Sequence, residues 1–322
     1  MAIKKILIVK TTSMGDVIHA LPAVHDIASV LPDVQIDWVV EKSFSDIPKL
    51  SQHVTNVHEV AVRQWRKQLF KRQTWQAIAE VKATLVNQNY DLVIDLQGLL
   101  KSALVAKWAA SPIAGYDAQS IKEPVASRFY DKKFSISKSM LAMTRCRALA
   151  AAALGYDYRT LPLSFGMKDL RGFDDKTPYA VFLVNTSRET KLWDEARWVE
   201  MAQYVHKEGL NVRLLWGAPE EHERVKRIAQ QAGDFCEVMP RMPIGECARC
   251  IQGAKFAVGV DTGLTHLAAA TAVPTVGLFL DFPIELVGLS GEHVISLGGV
   301  GANPTVSEVY EALQKVRDAN IA

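Results

Sequence analysis

The chain has 322 residues, a length that suits about two domains, and its 49% hydrophobic and 22% charged residues mark it as globular rather than disordered or fibrous. No uninterrupted apolar run of about 18 residues is present for a spanning helix, and the apolar stretch 6–9 near the N-terminus is too short for a secretory signal. The net charge of +2 hides a division: residues 1–168 carry 22 Lys+Arg against 14 Asp+Glu, a net of +8, whereas 169–322 carry 15 against 21, a net of −6.

Residues 4–10 (KKILIVK) read as a strand, the polar loop TTSMGD follows, and an apolar helical pattern covers 17–30. This is the opening of a doubly wound unit. Strand patterns at 36–40, 57–62 and 92–96 alternate with helical patterns at 74–87 and 99–110. The second half restarts with a strand over 179–184, the loop NTSRETK and a helix over 194–207. Strands at 212–216, 257–260, 275–280 and 294–297 follow, with helices at 221–231, 244–252, 264–270 and 307–316. Such alternation predicts parallel sheets covered on both faces. The stretch 155–178 carries Gly, Pro and Asp with weak periodicity and is the expected linker, between domains 1–166 and 167–322. Two Rossmann-like α/β domains facing a central cleft are expected, with ligands at the carboxyl ends of the strands.

The loops after the strands carry the chemistry, and each has two readings. Asp16 is either the cap of the following helix or a carboxylate placed as a general base, and the two are compatible. In 185–191 the hydroxyls and Lys191 suit phosphate oxygens, although an ordinary solvated loop has the same composition. In 259–266 (GVDTGLTH) a strand, Asp261, Thr262, Gly263 and a helix come in order. The N–H groups of 262–265 would meet an anion; otherwise Asp261 caps a tight turn, and His266 reads as a core or supporting residue. At 216–221 (WGAPEE) the chain offers a nucleoside seat, with Glu221 accepting from ribose hydroxyls, or two helix-start acids serving the dipole. The segment 63–72 (RQWRKQLFKR) has five cations in ten residues. As one helix it places Arg63, Arg66, Lys67 and Lys71 on one face and Trp65 and Leu69 on the other. That face suits phosphates or an anionic leaflet, or is simply solvated.

No GxxxxGK[ST] loop and no GxGxxG after the first strand is present, which argues against a P-loop NTPase or an ordinary dinucleotide enzyme. Cys247 and Cys250 have no second pair for zinc, Cys146 and Cys236 do not extend them to a disulfide framework, and neither HExxH nor D-x-D occurs. Metal-free chemistry is the expectation.

The runs VKTTSMGDVIHALPA (9–23), DLQGLLKSALVA (95–106), NTSRETKLW (185–193), WGAPEEHERVKRIA (216–229) and VDTGLTHLAAA (260–270) together resemble the ADP-heptose:lipopolysaccharide heptosyltransferases. The resemblance spans essentially the whole chain and is nearest to the heptosyltransferase I branch. It implies a GT-B fold with an N-terminal acceptor domain and a C-terminal donor domain. It also implies inverting, metal-independent transfer of L-glycero-D-manno-heptose from ADP-heptose to Kdo of Kdo2–lipid A in lipopolysaccharide inner-core synthesis, with no cofactor beyond that donor substrate. Asp16 matches the family's catalytic base, and Lys191 a donor-phosphate contact that also serves catalysis. Thr186 and Ser187 match further phosphate contacts, Glu221 and Met242 the nucleoside pocket, and Asp261, Thr262, Gly263, Leu264 and His266 the heptose and diphosphate loop. Ser13, Met14, Gly15, Arg63, Arg66, Lys67, Gln97 and Lys122 fall at acceptor-binding positions.

Under this reading the basic half meets the acceptor's phosphates and carboxylates and the anionic inner-membrane surface. The expected location is cytoplasmic, peripheral on the cytoplasmic face of the inner membrane, with no nucleic-acid partner. Two departures stand out: Gln64 where relatives often carry arginine, and Leu280-Asp281-Phe282-Pro283 where a Gly-Pro-Thr-type turn is common. Heptosyltransferase II, a protein heptosyltransferase, a nucleotide-sugar epimerase of the same fold and a two-lobed sugar-binding protein are the alternatives.

Overall fold

The computed structural model describes residues 3–170 and 177–318. The chain divides into two compact units, 1–168 and 169–322. Of the expected linker 155–178, residues 171–176 lie outside the described residues.

The first unit runs β1 (Lys5–Val9), α1 (Met14–Ile18), α2 (Leu21–Val30), β2 (Gln35–Glu41), α3 (Asp46–Lys49), β3 (Val54–Val60), α4 (Val62–Lys67), α5 (Arg72–Asn87), β4 (Leu92–Asp95), α6 (Leu100–Lys107), β5 (Ile113–Tyr116), β6 (Lys132–Phe134) and α7 (Ala142–Leu154). Its six strands form one parallel sheet in the order β3-β2-β1-β4-β5-β6. The second unit runs β7 (Tyr179–Leu183), α8 (Glu195–Lys207), β8 (Asn211–Leu214), α9 (Pro219–Ala232), β9 (Cys236–Val238), α10 (Ile244–Gln252), β10 (Ala257–Val260), α11 (Gly263–Ala270), β11 (Thr275–Phe279), α12 (Ile284–Val287), β12 (Val294–Gly298) and α13 (Val306–Asp318). Its parallel sheet has the order β12-β11-β10-β7-β8-β9.

Strands with both faces covered need apolar side chains on both sides. Accordingly Ile6, Leu7, Ile8 and Val9 of β1 and Val181 and Phe182 of β7 are wholly buried. In the first sheet Ile8 pairs in register with Trp38 and Ile94, and the Trp38 indole N–H donates to the Lys10 carbonyl (3.0 Å). In the second, Trp198 of α8 packs on Phe182 at 5.2 Å and edge-on to Trp193 at 4.9 Å. Strand order reverses between β1 and β4 and between β7 and β10, which opens a crevice at the carboxyl end of each sheet.

The structure departs from the pattern reading in places with clear causes. The helix expected over 17–30 is two helices, because Pro22 has no N–H to bond back to the preceding turn and sits instead at the start of α2. The single helix expected over 63–72 ends at Lys67, and Trp65 is buried against Trp108 of α6 at 6.3 Å. The strand expected at 57–62 is β3, three residues earlier at its start. β5, β6, β9 and α7 add to the elements read from the sequence; the three strands are only three or four residues long.

In the first unit, buried Asp26 receives Arg147 Nε at 2.7 Å and Nη2 at 3.0 Å, and Nη2 also donates to the carbonyls of Tyr158 (3.1 Å) and Leu161 (3.0 Å). Beside it, His25 Nδ1 and His53 Nε2 lie 2.9 Å apart. Burial holds both imidazoles below the ordinary value of 6.5; for His25 the Asp26 charge opposes this and Arg147 assists it, and for His53 the His25 charge adds to it. The folded state therefore binds fewer protons than the unfolded chain just below pH 6.5, so the pair's contribution is full above that value and is lost as the pH falls through the lower folded values. The expected outcome is a Tm that declines between about pH 7 and pH 5, with a shallower decline in His53→Gln, checked by thermal unfolding across that range.

Candidate active site

In the first unit, the loops at the carboxyl ends of β1, β4 and β5 enclose a cavity of about 130 Å³. Its lining includes Lys10, Asp16, Gln97, Tyr116, Lys122 and Arg145. Asp16 is not the helix cap: Ser13 holds that position, and Asp16 is the third residue of α1. Its Oδ2 accepts from the Ser13 backbone N–H (2.9 Å) and from Ser13 Oγ (2.8 Å), the reach-back half of a capping box. Burial pushes the Asp16 carboxyl up, but the Lys10 charge, the two Ser13 hydrogen bonds and the His19 charge outweigh it and hold it below 3.8. Lys10 is itself buried, its Nζ donating to the Leu96 carbonyl at 3.0 Å. The cavity thus holds an ionised carboxylate, a group that can accept a proton, among cations.

The loop that carries Asp16 is pinned from β4. Asp95 is wholly buried and accepts from Gln97 N (2.9 Å), Gly98 N (3.3 Å), Ser102 Oγ (2.8 Å) and Tyr130 Oη (2.7 Å). Gln97 Oε1 in turn accepts from Thr11 N and Thr12 N, each at 3.0 Å. Gln97 lines the cavity, but its side-chain oxygen is committed to the backbone of the first loop. Lys101 Nζ donates to Thr12 Oγ1 (2.7 Å). Burial lowers the Lys101 ammonium's pKa; among the charges that shift it, Arg63 and Arg66 push it down, while Glu41 and Glu123 oppose. Arg63 and Arg66 therefore join this end of the sheet through Lys101, and Arg63 N–H is fixed by Glu41 Oε1 (3.1 Å). Lys67 stands exposed at the end of α4, while Met14 and Gly15 form the first turn of α1.

In the second unit, five loops gather at the carboxyl end of the sheet. Lys191 Nζ meets Asp261 Oδ2 at 2.6 Å, His266 Nε2 lies 3.8 Å from Asp261 Oδ1, and Thr186 Oγ1 donates to the Asp261 carbonyl (3.0 Å). Burial raises the Asp261 carboxyl, but the His266 and Lys191 bonds and charges bring it below 3.8. Thr262, not Asp261, caps α11, so the aspartate is released to hold the lysine. A Cβ on Gly259 would overlap Thr265 Oγ1, which donates to the Val260 carbonyl at 2.6 Å. Thr265 N–H is turned inward to the Thr262 carbonyl (3.1 Å), which shortens the expected anion site to residues 262–264. Ser187 is exposed on the 185–191 loop.

Glu221 serves its helix start: Oε2 accepts from Gly217 N (2.7 Å) and Ala218 N (3.1 Å). Trp216 Nε1 donates to the Met239 carbonyl (2.6 Å) and Arg241 Nε to the Gly217 carbonyl (3.0 Å). These bonds tie the loop bearing Met242 to the one bearing Glu221. The unusual 280–283 turn also belongs to the site. Asp281 Oδ2 accepts from Thr190 Oγ1 (3.0 Å) and lies 3.7 Å from Arg188, and the Phe282 ring lies 4.8 Å from Lys191 Nζ. Among the described residues, no group of three His, Cys, Asp or Glu is placed to hold a metal ion.

Residues 78–311 match the glycosyltransferase family 9 (heptosyltransferase) profile. The chain belongs to glycosyltransferase family 9. Over 298 residues it is 42% identical to lipopolysaccharide heptosyltransferase 1 of Pseudomonas aeruginosa, covering 91% of this chain and 83% of that one. The structure of the E. coli heptosyltransferase WaaC with ADP superposes with a TM-score of 0.90 at 37% identity, covering 98% of this chain and 99% of that one. WaaC with ADP-2-deoxy-2-fluoro heptose gives 0.86 at 36% identity, with the same coverage.

The protein is thus a heptosyltransferase-family glycosyltransferase with the GT-B α/β fold that the sequence led one to expect. Sequence reading missed Lys10, Lys101, Arg145 and Arg188, because single cations on strands, helices and loops have no spacing that announces a site. Lys10 alone left a trace, as the residue that ends an apolar strand.

Gln97→Leu leaves the N–H groups of Thr11 and Thr12 without their acceptor and frees the loop that carries Asp16. Since a displacement of about 1 Å at a reacting group can cost 10²-fold, kcat is expected to fall by about one to two orders of magnitude. ADP affinity, measured by calorimetry, is expected to stay unchanged; an unaltered kcat would remove this positioning role.

Proposed function

We propose that the protein transfers the heptosyl group of ADP-L-glycero-D-manno-heptose to a Kdo hydroxyl of Kdo2–lipid A, with inversion at C1 and without a metal or other cofactor, in lipopolysaccharide inner-core synthesis. The observation that carries the reading is the Lys191–Asp261–His266 cluster beside the α11 N-terminus, in a chain this similar to heptosyltransferase 1 and to WaaC with ADP.

The diphosphate of the donor meets Lys191, Thr186, Ser187 and the first turn of α11 at Thr262, Gly263 and Leu264. As the bond from C1 to the phosphate oxygen breaks, its electron pair and negative charge pass to departing ADP. A fixed cation and helix terminus stabilise that charge more than the ground state. Asp261 and His266 hold Lys191 in place and border the heptose, while Glu221 and Met242 border the nucleoside. In the acceptor unit Asp16 takes the proton of the attacking hydroxyl as the new bond to C1 forms. Its low pKa keeps it ionised, and the hydroxyl becomes acidic enough to release its proton as the sugar gains oxocarbenium character.

Lys10, Lys122, Arg145 and the Arg63, Arg66 and Lys101 group supply the positive potential for an acceptor carrying phosphates and carboxylates. The acyl chains of such an acceptor stay in the bilayer, so the enzyme works at the cytoplasmic face of the inner membrane. Among the described residues no helix is long and apolar enough to cross a membrane, which suits a peripheral attachment.

The deciding assay is transfer from ADP-L-glycero-D-manno-heptose to Kdo2–lipid A in excess EDTA, with product read by mass spectrometry. One added heptose is the expected product. Transfer only to an already heptosylated core or to a protein would move the acceptor to that of the heptosyltransferase II or protein-modifying readings. Activity lost in EDTA and restored by Mg²⁺ would overturn the metal-free mechanism. In the same assay Asp16→Asn, which keeps the size of the side chain, is expected to lower kcat by about 10²–10⁴-fold while ADP still binds.

A further inference from the structure

The corner between α4 and α5 takes no part in the site described above. The chain turns there through residues 68–71, and the turn is held from within. Thr74 Oγ1 donates to the Gln68 carbonyl (2.9 Å) and Trp75 Nε1 to the Leu69 carbonyl (2.7 Å). Closed in this way, the turn thrusts its side chains outward: Phe70 is 105% exposed, Trp75 57% and Leu69 47%. Arg66, Lys67, Lys71 and Arg72 are exposed around them, and residues 60–79 contain no acid.

Single exposed apolar side chains are ordinary, but Leu69, Phe70 and Trp75 are gathered at one corner, and a contiguous apolar patch rimmed by charge marks a contact surface. Lysine is depleted in the core of protein interfaces. Aromatic and aliphatic tips inside a ring of cations are instead the composition of segments that lie in the headgroup region of anionic bilayers.

We propose that Leu69, Phe70 and Trp75 form an anchor that inserts into the surface of an anionic lipid bilayer, with Lys67, Lys71 and Arg72 meeting the headgroup phosphates. The basic segment read from the sequence includes Trp65, but that ring is spent inside the unit on Trp108; the exposed apolar side chains are Leu69 and Phe70 of the turn and Trp75 at the start of α5. The surface stands on its own geometry and rests on the acceptor reading above only for its purpose, which is to bring Arg63 and Arg66 to a substrate whose acyl chains remain in the leaflet.

The test is vesicle co-sedimentation of the full chain without donor or acceptor, using phosphatidylglycerol-containing vesicles against pure phosphatidylcholine at low and high salt. Binding to the anionic vesicles, weakened by salt, is expected, and Phe70→Ser is expected to lower the partition coefficient about tenfold or more. The same variant should transfer at the unaltered rate to a water-soluble, deacylated acceptor and more slowly to one embedded in vesicles. Equal binding to both vesicle types, or binding indifferent to Phe70→Ser, would overturn the anchor. So would concentration-dependent self-association that Phe70→Ser abolishes without any vesicle binding, which would assign the surface to a second copy. Vesicle binding with no transfer to any acceptor would leave the anchor standing and overturn the catalytic reading instead.

Discussion

The first unit depends on one buried carboxylate. Asp95 ends β4 with no exposure to solvent, and burial raises its pKa despite the four hydrogen bonds it accepts. A buried polar group of this kind is tolerable only when its bonds are complete. Completing them fixes the 96–99 loop, the start of α6 and the Tyr130 ring together. From that fixed loop Gln97 reaches across to the backbone of residues 11 and 12, and Lys101 reaches Thr12. Asp16 and the cations around it are therefore set by the same rigid frame, which is how a group of side chains on loops achieves the precision of one on strands.

The second unit solves a different problem. Lys191 and Asp261 are each largely sheltered from water, and a sheltered charge needs a partner of the opposite sign. Asp261 holds Lys191 Nζ on one side, with His266 on its other side, so the lysine's direction is fixed by the fold. Phe282 adds a ring beside the same ammonium. The turn at 280–283 supplies a carboxylate and an aromatic ring that grip the 185–191 loop.

The sequence displayed what repeats and concealed what converges. β10 at 257–260 and α10 at 244–252 are visible to the residue, because an apolar run bounded by turn residues and a 3.6-residue period are local signals. β6 and β9 are three residues long, too short for a period to show. Asp16, Lys191 and the 259–266 loop stood out because each lies in a polar loop that follows an apolar strand, the end of the sheet where ligands gather. Of the two readings of Asp16, the helix-cap position goes to Ser13, three residues earlier, and the aspartate reaches back to it. Lys10 and Arg145 line one cavity from 135 positions apart in sequence, and Lys101 reaches Thr12 from α6; nothing in their local spacing could reveal it.

The break at residues 68–71 shows how a local choice decides a functional surface. No proline or glycine interrupts this segment, so helix propensity alone would carry α4 into α5. In the turn the Gln68 carbonyl accepts from the Lys71 N–H and from Thr74 Oγ1, and the Leu69 carbonyl from Trp75 Nε1, so side chains bond carbonyls that a continuous helix would give to its own ladder. A continuous helix would have put Leu69 on the same face as buried Trp65, with Phe70 beside the cations on a solvated flank. The turn separates these fates. Trp65 goes inward to fix α4 on α6, and Phe70 goes outward with cations on either side. Packing and membrane contact are thereby assigned to different aromatics within six residues, and neither role weakens the other.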